Sequence, residues 1–174
     1  ARTVQAALGL PIKVVDGYKG TSDIRLAAES GELAGGCWAW ESIKTTWRKG
    51  IESGEAAVVV LVMPKKHPEL PNVPLAIDYA KTEDARRLLK HAVHDTAIIT
   101  RPYFLPPATP KNRVQLLRKA FSDTLNDPAF LAEAKKSNLD IEPVSGEEME
   151  KVVAGLFKLE PGMVARLKNV LVPR

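Results

Sequence analysis

Three histidines, one cysteine and a scatter of hydroxyls and carboxylates are the residues of this sequence with chemistry to offer. His91 and His94 stand three apart with Asp95 beside them, which on a helix is the spacing of two metal ligands sharing one face. A third convergent ligand is missing nearby, and an exposed helical face accounts for the pair as well. The single cysteine, Cys37, excludes an internal disulfide and a zinc cluster, since both need several partners. Acyl transfer needs a nucleophile, a base and an orienting acid that converge. The serine in the most motif-like setting is Ser145, and Ser145-Gly146-Glu147-Glu148 reads as a helix capping box. The acidic pairs Glu83-Asp84 and Glu147-Glu148 fall in first helical turns, where negative charge complements the helix dipole. Phosphate loops of the GxxxxGK[ST] or GxGxxG type are absent. No catalytic residue, metal site or cofactor is predicted, and the chain reads as something other than an enzyme.

Binding chemistry is better represented. In Gly17-Tyr18-Lys19-Gly20-Thr21-Ser22 a predicted strand, Lys13-Val14-Val15, ends and a helix opens. Free N–H groups, the helix dipole and the hydroxyls of Thr21 and Ser22 all favour an anion there. A well-capped turn between strand and helix explains the same residues without a ligand. A second strand end comes at Trp40-Glu41-Ser42, where the indole of Trp40 offers an apolar wall and Ser42 a polar group. Trp38 and Trp40, two apart on one strand face, fit a core equally well, and Trp38 is assigned to it.

The elements that would position these loops follow from the pattern of apolar residues. Strands are expected at Lys13-Val14-Val15, at Gly36-Cys37-Trp38-Ala39-Trp40, and at Ala56 to Met63, which is apolar on both faces as in a parallel sheet. Helices are expected from Thr21 to a stop at Gly31, from Glu41 past Trp47, and after Thr82, with Leu88, Leu89, Ala92 and Val93 as a buried stripe. Four prolines between Met63 and Pro74 make that stretch an extended loop. A β-branched strand at Ala97-Ile98-Ile99-Thr100 runs into Pro106-Pro107 and marks a boundary, dividing the chain into an α/β lobe over 1–100 and a segment of crossover strand and helices over 101–174. Helices beyond it are read at Lys111–Asn126, Pro128–Ser137, Gly146–Lys158 and Pro161–Asn169.

The 174 residues carry 25 basic and 21 acidic side chains, for a net charge of +4 spread over both halves. Lys65-Lys66 and Lys135-Lys136 are too short, and too far from aromatic residues, for a nucleic-acid patch, so no nucleic-acid partner is expected. The longest apolar run, Ala56 to Met63, is far below the ~20 residues of a membrane span.

An ordered series of short motifs carries a resemblance. Leu8-Gly9-Leu10 before a strand, Gly17-Tyr18-Lys19-Gly20-Thr21, and a helix ending in Ser30-Gly31-Glu32-Leu33-Ala34-Gly35 open it. Leu70-Pro71-Asn72-Val73-Pro74-Leu75-Ala76, Arg101-Pro102-Tyr103, Leu117-Arg118-Lys119-Ala120-Phe121, Asp127-Pro128-Ala129-Phe130-Leu131 and Val144-Ser145-Gly146-Glu147-Glu148 continue it. The series resembles the second lobe and C-terminal segment of the Bug-type receptors, the extracytoplasmic solute-binding proteins of tripartite tricarboxylate transporters. The resemblance implies a type II periplasmic-binding-protein lobe with an open, mainly parallel sheet, followed by a helical C-terminal segment. It implies a periplasmic receptor that closes two lobes on a small carboxylate-bearing or amino-acid-like ligand and delivers it to a membrane permease. By position the second-lobe contacts are Tyr18, Gly20, Thr21, Ser22, Trp40 and Ser42.

The match departs from the family in two ways. The relatives carry a first lobe before the point where Ala1 stands, and Trp38-Ala39-Trp40 replaces residues that are often smaller or acidic. The apolar stripe Val114, Leu117, Phe121 and Leu125 needs a covering surface, which motivates the alternative of a truncated relative without transport function, acting as a homodimer or interaction module.

Overall fold

The computed structural model describes residues 1–137 and 139–172, and helices carry it. They are α1 (Arg2–Leu8), α2 (Thr21–Glu29), α3 (Trp40–Thr46), α4 (Arg48–Ser53), α5 (Glu83–Leu89), α6 (Asp95–Ile98), α7 (Lys111–Leu125), α8 (Pro128–Lys136), α9 (Gly146–Leu156) and α10 (Pro161–Leu171). A 3-10 turn at Ala76–Tyr79 precedes α5, and a π-helical turn at Lys90–His94 follows it.

The expected α/β fold with an open parallel sheet is overturned. Among the described residues strand pairing is limited to one isolated parallel bridge, Leu61 to Leu75. There the Leu61 N–H donates to the Pro74 carbonyl at 2.9 Å and the Ala76 N–H to the Leu61 carbonyl at 2.8 Å. Residues 10–19, 33–39 and 55–60 run without ladder partners. A strand differs from a helix in this respect: its backbone groups are satisfied by another segment, so an apolar run fixes what can be buried and leaves open what it pairs with. Val60 and Val62 do pack on the core, while Val59 between them is 76% exposed. Two further strand expectations give way to helix, one only at its last residue and the other over its first half. Ala39 is extended and Trp40 is the first residue of α3, and the residues expected as a β-branched strand after Asp95 turn as α6, with Ile99 and Thr100 N–H groups bonding back to Thr96 and Ala97.

The chain divides into two compact units, Ala1–His94 together with the chain from Glu160 onward, and Asp95–Leu159. In the first, α1, the 3-10 turn and α5 surround a core of Val4, Ala76, Ala80, Ala85 and Leu89, and α10 packs on α1 and buries Met163. The Thr82 hydroxyl caps α5 by accepting from the Ala85 N–H at 3.1 Å. Leu88 and Leu89, neighbours on its inner face, are wholly buried, each worth about 1.5–3 kcal/mol of transfer free energy. Arg87 pairs with Glu160 at 3.4 Å and Arg166 pairs with Asp84, tying α5 to the α10 region.

The second unit is held differently. Asp127 caps α8 by accepting from the Phe130 N–H at 2.9 Å, and Ser145 caps α9 by accepting from the Glu148 N–H at 3.1 Å. Pro128 occupies the first turn of α8, where its missing donor costs nothing. Arg118 on α7 reaches Glu147 at 2.7 Å and Glu150 at 2.5 Å on α9. The Arg118 guanidinium lies over Gly146 at the start of α9, where a Cβ would stand 2.4 Å from its Nε, so a larger residue there would displace the Arg118 side chain from its present position. Among the described residues of this unit only Ala134 is buried.

Candidate functional site

The loop singled out by its donors does open a helix. Gly20 is the N-cap of α2, extended at φ −179°, and Thr21 and Ser22 are its first two residues. The first helical hydrogen bond runs from the Ile24 N–H to the Gly20 carbonyl at 3.2 Å, which leaves the N–H groups of Thr21, Ser22 and Asp23 outside the helical ladder. The hydroxyls of Thr21, half-buried, and Ser22, exposed, make no hydrogen bond within the described residues. Asp23 is the resident anion of this turn, its carboxylate accepting from the Lys19 N–H at 3.3 Å. At the far end of α2, Gly31 takes the left-handed conformation (φ +81°) that the helix stop predicts.

Tyr18 is committed elsewhere in the same loop. Its phenol donates to the Glu32 carboxylate, and that hydrogen bond, then burial and the Glu32 charge, push the phenol's pKa upward. At neutral pH it stays a protonated donor.

Trp40 and Ser42 sit in α3, which packs against α2. The Ser42 carbonyl accepts from the Thr45 hydroxyl at 3.0 Å and the Thr46 hydroxyl at 2.6 Å, so its backbone serves the helix. Among the described residues no hydrogen bond or ring contact joins Trp40 or Ser42 to the Tyr18–Ser22 group, although α2 and α3, which carry most of these residues, pack on each other. Trp38 stacks in parallel on Trp47, centroids 6.2 Å apart, and its ring fills the space over Gly36 beside Ile24.

Trp40 instead joins a cluster that the sequence did not disclose. Its indole N–H donates to a Glu69 carboxylate oxygen at 2.5 Å, and the Lys44 ammonium reaches the same carboxylate at 3.1 and 3.2 Å. The Lys44 Nζ also lies 5.9 Å from the Trp40 ring centre, and His67 meets that ring edge-on at 6.4 Å. His67 is buried, and its Nδ1 accepts from the Glu69 N–H at 3.1 Å. The indole hydrogen bond first, and Lys44 next, hold the Glu69 carboxyl below the usual carboxylate range. Lys44 was readable in principle as the residue one turn after Trp40; Glu69, twenty-nine residues away in the proline-rich loop, was not.

Among the described residues no group of three or more His, Cys, Asp or Glu is placed to hold a metal ion. None of their helices is long and apolar enough to cross a membrane. No family model, curated protein or solved structure matches the chain.

Proposed function

We propose that this chain belongs to an extracytoplasmic solute receptor, working in the periplasm, that binds a small carboxylate-bearing molecule between two lobes and hands it to a membrane permease. The ordered motif series from Leu8 to Glu148 carries the reading. The donors at the start of α2 support it, because the N–H groups of Thr21 and Ser22 and their two uncommitted hydroxyls are what a carboxylate needs. The proposal does not depend on a sheet: helix starts and side-chain donors perform the recognition, and a second lobe, on this polypeptide or another, completes the cleft.

Calorimetric titration with succinate, citrate and glutamate tests the reading. Saturable binding of one of them, weakened by about 1.5–3 kcal/mol in Thr21→Val combined with Ser22→Ala, is the expected result. Absence of binding for all three, across millimolar concentrations, would overturn it.

A second reading has its own observation. On α7, Leu116, Leu117 and Phe121 are 58%, 49% and 43% exposed, an apolar face that a self-sufficient helix would bury. An interaction module that pairs with a second copy explains that face without a ligand. Light scattering across a concentration series separates the two: a dimer dissociated by Phe121→Glu favours the module, and a monomer at all concentrations removes it.

A further inference from the structure

Trp40 and Lys44 stand one turn apart on α3 and present two donors of different character to one point. The indole N–H is directional, and the ammonium is a compact charge. Both converge on a single carboxylate, which sits within 2.5 Å of the first and 3.1 Å of the second. A small free carboxylate offers the same two oxygens in the same plane. The group that occupies the place belongs to a segment punctuated by Pro64, Pro68, Pro71 and Pro74, and its side chain is 49% exposed, so on release its charge returns to water, while the Lys44 side chain, 20% exposed, favours a new anion in its place. Its backbone is held separately, by the N–H donated to His67.

We infer that Trp40 and Lys44 form a carboxylate-binding pair, and that Glu69 is an internal competitor which a ligand carboxylate must displace. The inference rests on the receptor reading and deepens it, by adding Lys44 to the site and by giving the site a built-in threshold. The low carboxyl pKa of Glu69 fits this assignment, since the donor pair stabilises the negative form of whatever carboxyl it holds. Tethering keeps the competitor at a high local concentration, so weak carboxylates fail to enter and only a ligand with further contacts succeeds.

The test is titration of the native chain, Glu69→Ala, and Glu69→Ala combined with Lys44→Gln, with succinate and with citrate, folding being checked by far-ultraviolet circular dichroism. Alanine at 69 keeps the backbone bond to His67 and removes only the competitor. If Glu69 fills the pair about nine-tenths of the time, its removal tightens binding roughly tenfold, and the added Lys44→Gln abolishes the gain. Tryptophan emission should then respond to succinate in Glu69→Ala more strongly than in the native chain. Equal affinity in the native chain and Glu69→Ala, or a gain that survives Lys44→Gln, overturns the inference and leaves the receptor reading standing. No binding to any of the three proteins overturns both.

Discussion

The helices around α5 and the helices of the Asp95–Leu159 unit are built by the same local rules and reach opposite degrees of burial. Both sets have side-chain N-caps, at Thr82 in one and at Asp127 and Ser145 in the other. Around α5, the apolar side chains meet one another, and Leu88 and Leu89 lose all contact with water. In the second unit, polar links such as Arg118 to Glu147 and Glu150 join the helices, while Tyr103, Phe104 and Phe157 are each more than 80% exposed. Capping and amphipathicity therefore decide that a helix forms. What covers its apolar face is decided by long-range contacts, and these differ between the two regions.

The largest expected effect breaks the comparison at its centre. Leu89→Ala should cost about 2–5 kcal/mol in chemical denaturation, because it opens a cavity in a fully packed site, whereas Leu117→Ala on α7 should fall within about 0.5 kcal/mol. A cost at Leu117 approaching that at Leu89 would mean that a second surface covers α7 in solution. Oligomeric state measured on the same samples would then identify that surface as a second copy or exclude it.

A middle-sized effect sharpens the other half of the contrast. Thr82→Ala and Ser145→Ala each remove a hydroxyl acceptor from a first-turn N–H, and each should cost about 1 kcal/mol. Amide exchange resolves the two locally, with faster exchange in the first turn of α5 for one and of α9 for the other. Equal costs establish that capping works independently of burial. A much greater cost at Thr82 would show that the cap and the core around Leu89 act together.

Residues whose role is local were legible from the sequence. Thr82 and Ser145 lie where helices start, Pro128 takes the first turn of α8, Gly31 ends α2 in the left-handed conformation, and Leu88 and Leu89 are buried as their spacing required, with Ala92 and Val93 of the same stripe part-buried. Residues whose role depends on a distant partner were not. Lys13-Val14-Val15 and Ala56 to Met63 have strand composition, but a strand needs a neighbour to pair with, and only Leu61 has one among the described residues. The same limit applied at the site. The start of α2 at Thr21 and Ser22 was readable, since its donors are adjacent in sequence. Trp40 was readable as a candidate, but the carboxylate it holds comes from Glu69, and nothing in the spacing of Pro64 to Pro74 indicates that Glu69 turns toward α3.

The smallest expected effect is the pH dependence of that contact. The Glu69 carboxyl is held below its ordinary value of 4.5 by the Trp40 indole first and by Lys44 second, with the His67 charge a lesser contribution. A carboxyl with a lowered folded-state pKa binds its proton more weakly than in the unfolded chain, so it adds stability above the unfolded value. That contribution is complete at neutral pH, shrinks as the pH falls below the ordinary carboxylate range, and is gone once the folded-state carboxyl is itself protonated. Glu69→Gln keeps the shape and removes the charge. The stability gap between native chain and variant should therefore be widest at neutral pH and close in acid, and the half-exposed side chain keeps it small throughout. Tryptophan emission followed through the same titration reads the indole directly. A gap that stays constant down to the most acid pH at which the chain remains folded would show that packing of the proline-rich loop, and not the charge on Glu69, holds Trp40 in place.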